Sequence, residues 1–130
     1  MGIFNFFKGS KPKFIIIGVL DYKDKEIVKK KWEEIEELMS LGRPSNFRQA
    51  VLEADKLLNF VLEKMGYSGT LGEKLKNAKD KFSSYVYNDV WSAHKIRNRL
   101  VHEVGSEILH YEAKEAIKKF EKGLRNLGAL

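Results

Sequence analysis

Apolar side chains recur every three or four residues from about residue 24 onward, the spacing that places them along one face of a helix. A first helix is predicted to begin near Asp24 and to end before Gly42. A second helix follows with the most regular pattern in the chain. Its apolar positions are Phe47, Ala50, Val51, Ala54, Leu57, Leu58, Val61, Leu62 and Met65. We expect this second helix to be the central, buried helix of the domain.

Three more helices are predicted in the second half of the chain. Thr70, followed three residues later by Glu73, is typical of a capping box and begins the third helix. The fourth helix runs to about Val104 and is capped by Asn88 or Asp89. A fifth helix is predicted to begin at about Ser106 or Tyr111. Five helices joined by short loops predict an all-α fold, an antiparallel bundle of four to five helices.

The first 20 residues differ in composition from the rest of the chain. Their distinguishing side chains are apolar or basic: Ile3, Phe4, Phe6, Phe7, Lys8, Lys11 and Lys13. An apolar run over residues 14–20 is far shorter than the roughly 20 residues needed to span a bilayer. Its β-branched residues predict a short strand or extended arm. We therefore divide the chain into a basic, apolar N-terminal arm (residues 1–20) and a helical domain (residues 21–130).

The overall composition narrows the class of protein. A chain of 130 residues, 43% hydrophobic and 32% charged, is typical of one soluble globular domain. It contains no cysteine, so disulfides and thiolate metal sites are excluded and a reducing, cytoplasmic location is predicted. Its three histidines have no carboxylate at ligand spacing, and we predict neither a metal nor another cofactor.

The positive charge is concentrated at the amino-terminal end. Eight lysines and three carboxylates give residues 1–31 a net charge of +5, which leaves +1 for the remaining chain. A broad attraction to RNA or to an anionic membrane surface must therefore come chiefly from this end.

The segment from Arg97 to His102 carries the most distinctive chemistry in the chain. It places a permanent cation, an amide and an imidazole within two turns of the fourth helix. An imidazole can take the proton of a ribose 2′-hydroxyl, while an arginine neutralises charge on the phosphate. The predicted catalytic residues for metal-independent RNA transesterification are Arg97, His102 and Asn98. The neighbouring residues predicted to contact RNA are Trp91, His94, Lys95 and Arg99.

This segment resembles the Rx4-6H signature of HEPN domains, small helical bundles of which many are metal-independent endoribonucleases. Two further segments, Leu71–Leu75 and Trp91–Ile96, resemble one uncharacterised prokaryotic branch of that superfamily. The similarity covers roughly residues 45 to 127. It implies a homodimer in which both copies of the motif line one cleft, and a toxin-like ribonuclease that pairs with an antitoxin or another protein.

Helical geometry adds a constraint on this motif. Arg97 falls within an apolar sector of the fourth helix, and His102 lies five residues and about 140° further round. A straight helix does not bring the two side chains together, whereas pairing of two chains can. The apolar sector consists of Val86, Val90, Ala93, Ile96, Leu100, Val101 and Val104.

The same residues allow other interpretations. Arg97 fits equally well as a structural ion pair with a carboxylate such as Glu53 or Glu103. His94 fits a packed or solvated histidine, and Trp91 fits the core. The domain would then be an inactive interaction module. Alternatively, the arm over residues 1–20 docks a structural bundle to a membrane surface or to a protein partner.

Overall fold

The computed structural model describes residues 19–130, and every regular element in this range is helical. The elements are α1 (Tyr22–Ser40), α2 (Pro44–Lys64), α3 (Leu71–Asn77), a 3₁₀ turn (Lys79–Lys81), α4 (Ser84–His102) and α5 (His110–Asn126). Five helices, with no strand between residues 19 and 130, confirm the predicted all-α bundle. The expected extended arm lies outside the described residues except for Val19 and Leu20, and Leu20 is buried.

Helix α2 lies at the centre of the bundle and packs against α1, α4 and α5. All nine of its predicted apolar positions are buried. Contacts between α2 and α4 run in opposite directions, since Arg48 binds the carbonyl of Leu100 while Asp55 binds His94. The two helices are therefore antiparallel. The contacts of α2 with three other helices and the burial of its apolar positions confirm the prediction that it is the central helix.

Helix α4 begins five to six residues earlier than its sequence pattern predicted. Ser83 is the N-cap, and its hydroxyl accepts a hydrogen bond from the Val86 amide at 3.2 Å. Asn88 and Asp89 consequently lie inside the helix, and the prediction that one of them caps it was wrong. Ser83 is the cap rather than Asn88 or Asp89 because its hydroxyl binds a free amide of the first turn, and the aromatic residues that follow it are then helical.

The carboxyl end of α4 also differs from the prediction. The helix ends at His102, and the chain then turns at Gly105, which has a φ of 75°. Val101 is 48% exposed and Val104 is fully exposed, so their assignment to the buried face was wrong. The apolar sector ends instead at Leu100. Val104 lies beyond the last helical residue and does not continue over the core, whereas Val101 lies in the last turn of α4 and faces solvent. Two exposed valines consequently flank His102.

Gly123 of α5 allows a close approach to α4. A Cβ atom at this position would lie 2.5 Å from Cγ2 of Val90, which is buried and β-branched and therefore cannot turn away. We expect Gly123→Ala to lower the free energy of unfolding by about 1–3 kcal/mol in urea denaturation. This loss would outweigh the gain of about 1 kcal/mol in helix propensity.

A double variant provides the control for Gly123→Ala. Val90→Ala removes the colliding methyl groups, so adding Gly123→Ala to Val90→Ala should cost no further stability. Strictly additive losses in the double variant would contradict the steric explanation.

Candidate functional site

Asp55 of α2 and three residues of α4 form a closed ring of polar contacts, which we call the Asp55 network (Asp55, His94, Arg97 and Asn98). Asp55 Oδ1 lies 2.8 Å from His94 Nδ1, and Oδ2 accepts a hydrogen bond from Arg97 Nε at 2.7 Å. Arg97 Nη1 donates to Asn98 Oδ1 at 3.0 Å. Asn98 Nδ2 lies 3.5 Å from His94 Nε2 and completes the ring.

Each of the four contacts in the Asp55 network pairs a donor with an acceptor when Asp55 is a carboxylate and His94 carries its proton on Nδ1. His94 Nε2 is then the acceptor for the Asn98 amide, and the carboxylate balances the arginine charge. Asp55 is only 1% exposed and His94 only 6% exposed. Because a buried charge is stable only when paired, these contacts fix α4 against α2 in one orientation.

Asp55 is not among the site residues predicted from the sequence, although the pattern of α2 contains a signal for it. Asp55 lies four residues after Val51 and three before Leu58, within the buried stripe of the helix. A carboxylate at such a position requires a partner from another helix. Arg97 is therefore in an ion pair, as one interpretation expected, but its partner is Asp55 rather than Glu53 or Glu103.

Arg97 is held in place yet partly accessible. Its position on the inward face of α4 agrees with the helical spacing, and its side chain is 27% exposed. Nε and Nη1 have partners in the Asp55 network, whereas Nη2 has none among residues 19–130. The guanidinium is thus fixed in orientation and has one nitrogen free for a phosphate oxygen.

His102 is the last residue of α4 and is exposed. Its side chain makes no hydrogen bond with any other residue between 19 and 130, Arg97 included. This agrees with the angle of about 140° between the two positions on a straight helix. One chain alone therefore does not join the predicted base to the predicted phosphate-binding cation.

Three of the four predicted RNA-contacting residues line one shallow groove along α4. The groove has a volume of about 520 Å³ and includes Trp91, Lys95 and Arg99. The fourth, His94, lies in the buried network, with its ring centroid 5.8 Å from that of Trp91. Arg99 is engaged by both carboxylate oxygens of Glu112 at 2.6 and 2.9 Å. Trp91 and Lys95 are consequently the residues of this set most available to a ligand.

The two segments that extended the HEPN resemblance contact each other. A Cβ atom on Gly72 would lie 3.3 Å from Trp91 Cη2, so the missing side chain makes room for the indole ring. Thr70 and Glu73 form the predicted capping box at the start of α3, which is thereby confirmed. Helix α3 thus supports the ring that borders the groove.

The Arg99–Glu112 pair joins α4 to α5 and makes the stability of the fold depend on pH. Hydrogen bonds from Arg99 lower the pKa of Glu112 below its usual value of 4.5. Because the folded-state pKa is depressed, the stabilisation is complete well above pH 4.5 and is lost as the pH falls through the folded-state value.

Glu112→Gln is expected to lower the free energy of unfolding by about 1 kcal/mol at pH 7, since the pair is partly solvated. The difference between the variant and the wild type should shrink steadily as the pH is lowered below 4.5. Urea denaturation at a series of pH values measures it. A difference that stays constant down to acid pH would contradict the role of the ion pair.

Residues 19–130 contain no group of three or more histidine, cysteine, aspartate or glutamate side chains arranged to hold a metal ion. Within the same range, no helix is both long and apolar enough to cross a bilayer. No family model, curated protein or solved structure is significantly similar to this chain. The residues and their geometry are therefore the basis for assigning a function.

Proposed function

We propose that this chain is a HEPN-like, toxin-like endoribonuclease that acts without a metal ion as a homodimer. The observation that carries the proposal is the Asp55 network, because it fixes Arg97 one and a half turns from the helix end that bears His102. An arginine held by two partners loses little further freedom when substrate binds. Such preorganised charge is the most effective way to stabilise a transition state.

The proposed reaction is transesterification at a phosphodiester of RNA. Neutral His102 takes the proton of the 2′-hydroxyl, whose oxygen attacks the adjacent phosphorus. The bond from phosphorus to the 5′-oxygen breaks, and that oxygen receives a proton from the protonated imidazole of His102. The products are a 2′,3′-cyclic phosphate and a 5′-hydroxyl. Arg97 Nη2 binds the non-bridging oxygens as charge develops there, and Asn98 orients Arg97.

The groove along α4 supplies a surface for the RNA strand. Trp91 offers a ring on which a base can stack, and Lys95 offers a charge for the backbone. The chain from residue 32 onward has a net charge of only +1, so broad attraction to RNA depends on the lysines that precede it. We therefore expect binding to this groove to be local and limited to single-stranded RNA, whose bases are free to stack.

A second copy of the chain supplies what one chain lacks. Arg97 and His102 point in different directions, and the exposed Val101 and Val104 flank His102. Exposed apolar side chains beside a motif that one chain leaves incomplete favour an interface at this end of α4. We propose a twofold dimer that covers these valines and brings Arg97 of one protomer towards His102 of its partner.

Incubation of the purified protein with single-stranded RNA in EDTA tests this function. The RNA should be cut, and mass spectrometry should find 2′,3′-cyclic phosphate ends. The same sequence made with 2′-deoxyribose should remain intact, because it lacks the nucleophile. If the protein leaves a panel of RNAs intact, or cuts the deoxy form equally well, the proposed reaction is wrong.

A second candidate function is that of a HEPN-type interaction module without activity. The observation that favours it is that Nε and Nη1 of Arg97 are already satisfied within the chain. Arg97 would then stabilise the fold or a contact with an antitoxin or other protein. In that case Arg97→Ala would change the melting temperature or the sedimentation coefficient and would leave RNA binding unaltered.

A further inference from the structure

A second surface of the domain lies on the side of α2 that faces away from the Asp55 network. A groove of about 700 Å³ runs between α1 and α2. Its floor is apolar and consists of Ile27, Ile35, Leu38, Leu41, Leu57 and Phe60. Ile27 is 46% exposed and Leu41 is 59% exposed at the two ends. The other lining residues are charged or polar, so the groove has both an apolar surface and charged groups for another segment to contact.

We propose that Phe14–Ile17 of the same chain occupies this groove. Leu20 is buried immediately before α1, which fixes the point where the preceding segment leaves the domain. The segment therefore leaves the domain at the amino-terminal end of α1, the end of that helix that carries Ile27. The segment consists of one phenylalanine and three isoleucines, whose side chains match the apolar floor.

The length of the segment fits the length of the groove. Seven extended residues from Leu20 back to Lys13 span about 23 Å. Helix α1 rises by about the same distance, 23 Å, between Tyr22 and Glu37. Lys13 therefore reaches the position of Glu37, and Phe14–Ile17 lies over the floor between these ends.

The charges at the far end of the groove are complementary to the segment. Residues 1–18 contain three lysines and no acidic residue. Glu37 lines the groove and forms no ion pair with any residue between 19 and 130, whereas the nearby Glu34 pairs with Lys31. Lys13 in the proposed arrangement lies beside Glu37 and supplies its missing partner.

Covalent connection favours this occupant over a second copy of the chain. A segment tethered a few residues from the groove has an effective concentration in the millimolar range. A separate chain must reach such concentrations in solution to compete. The residues that line the groove belong to α1 and α2 and include neither Arg97 nor His102, so this inference does not depend on the proposed ribonuclease activity.

Engineered cysteines test the arrangement directly, since the chain has none of its own. Lys13→Cys combined with Glu37→Cys keeps all four apolar residues and places one thiol at the end of the groove. The matched control combines Lys13→Cys with Glu36→Cys, which is exposed, lies about 100° away on α1 and does not line the groove. Under mild oxidation of the full-length protein, the Glu37 pair should close within one chain at least about tenfold faster than the control.

Further variants and outcomes distinguish binding of the segment in the groove from an undirected tether and from a second copy of the chain. Ile15→Glu together with Ile16→Glu should reduce closure of the Glu37 pair to the rate of the control. Equal closure of the Glu36 and Glu37 pairs would overturn the proposal, because an undirected tether reaches both. Disulfides between two chains at Glu37, identified by peptide mass mapping, would show that a second copy occupies the groove and would also overturn it.

Discussion

Replacing Asp55 with alanine is expected to lower the free energy of unfolding by about 3–5 kcal/mol, the largest effect on stability of any substitution considered. The change leaves Arg97 Nε and His94 Nδ1 without their acceptor on the buried face of α4. Removing one partner of a buried ion pair costs far more than the pair contributes, because the remaining groups lose their acceptor. Urea denaturation followed by circular dichroism measures the loss.

A double-mutant cycle separates the contribution of the Asp55 network to stability from the effect of lost packing. Asp55→Ala combined with Arg97→Ala should cost less than the sum of the two single changes, by about 0.5–3 kcal/mol. Asp55→Asn keeps the shape and one acceptor, so its cost should be intermediate. Glu115→Ala, which alters an exposed carboxylate on α5, is the control and should change little. If Asp55→Ala behaves like Glu115→Ala, the Asp55 network does not stabilise the fold.

His102→Ala is expected to reduce the rate of RNA cleavage by about 10²–10⁴-fold, the usual contribution of a general acid or base. Stability should hardly change, because the side chain is exposed and makes no hydrogen bond within residues 19–130. Arg97→Ala should reduce cleavage by at least about 10²-fold. It should also destabilise the protein, because Asp55 then loses its cation.

Matched variants show whether the loss of activity is specific to His102 and Arg97. His110→Ala removes another exposed histidine, one that stacks on Phe47 and lies outside the motif, and should leave the cleavage rate unchanged. Arg97→Lys retains the charge but cannot bind Asp55 and Asn98 with one planar group, so it should remain impaired. If His102→Ala cleaves RNA as fast as His110→Ala does, His102 takes no part in the reaction.

The sequence predicted the helices best where one periodic pattern ran without interruption. Helix α2 has such a pattern, and all of its predicted apolar positions are buried. The start of α4 was harder, because Ser83, Asn88 and Asp89 are all good cap residues and only the structure shows which one bonds a free amide. The end of α4 was mispredicted because Val104 continues the apolar spacing beyond the last helical residue.

The candidate site was predicted only in part for a similar reason. Helical spacing placed Arg97 on the inward face of α4, since that depends only on residues within one helix. Its partner depends on how α2 and α4 pack, and periodicity within either helix does not specify their relative register. Asp55 was nevertheless visible as a carboxylate inside a buried stripe. The pairing of Arg99 with Glu112 likewise required the packing of α4 against α5.

Complementation between two inactive variants tests the shared site of the dimer most directly. Arg97→Ala and His102→Ala protomers are co-expressed, and cleavage of RNA in EDTA is compared with that of each variant alone. Half of the dimers then contain both kinds of protomer, and each of these retains one complete pair of Arg97 and His102. We expect about a quarter of the wild-type activity in the mixture. A mixture no more active than its two components would contradict a site built from two chains.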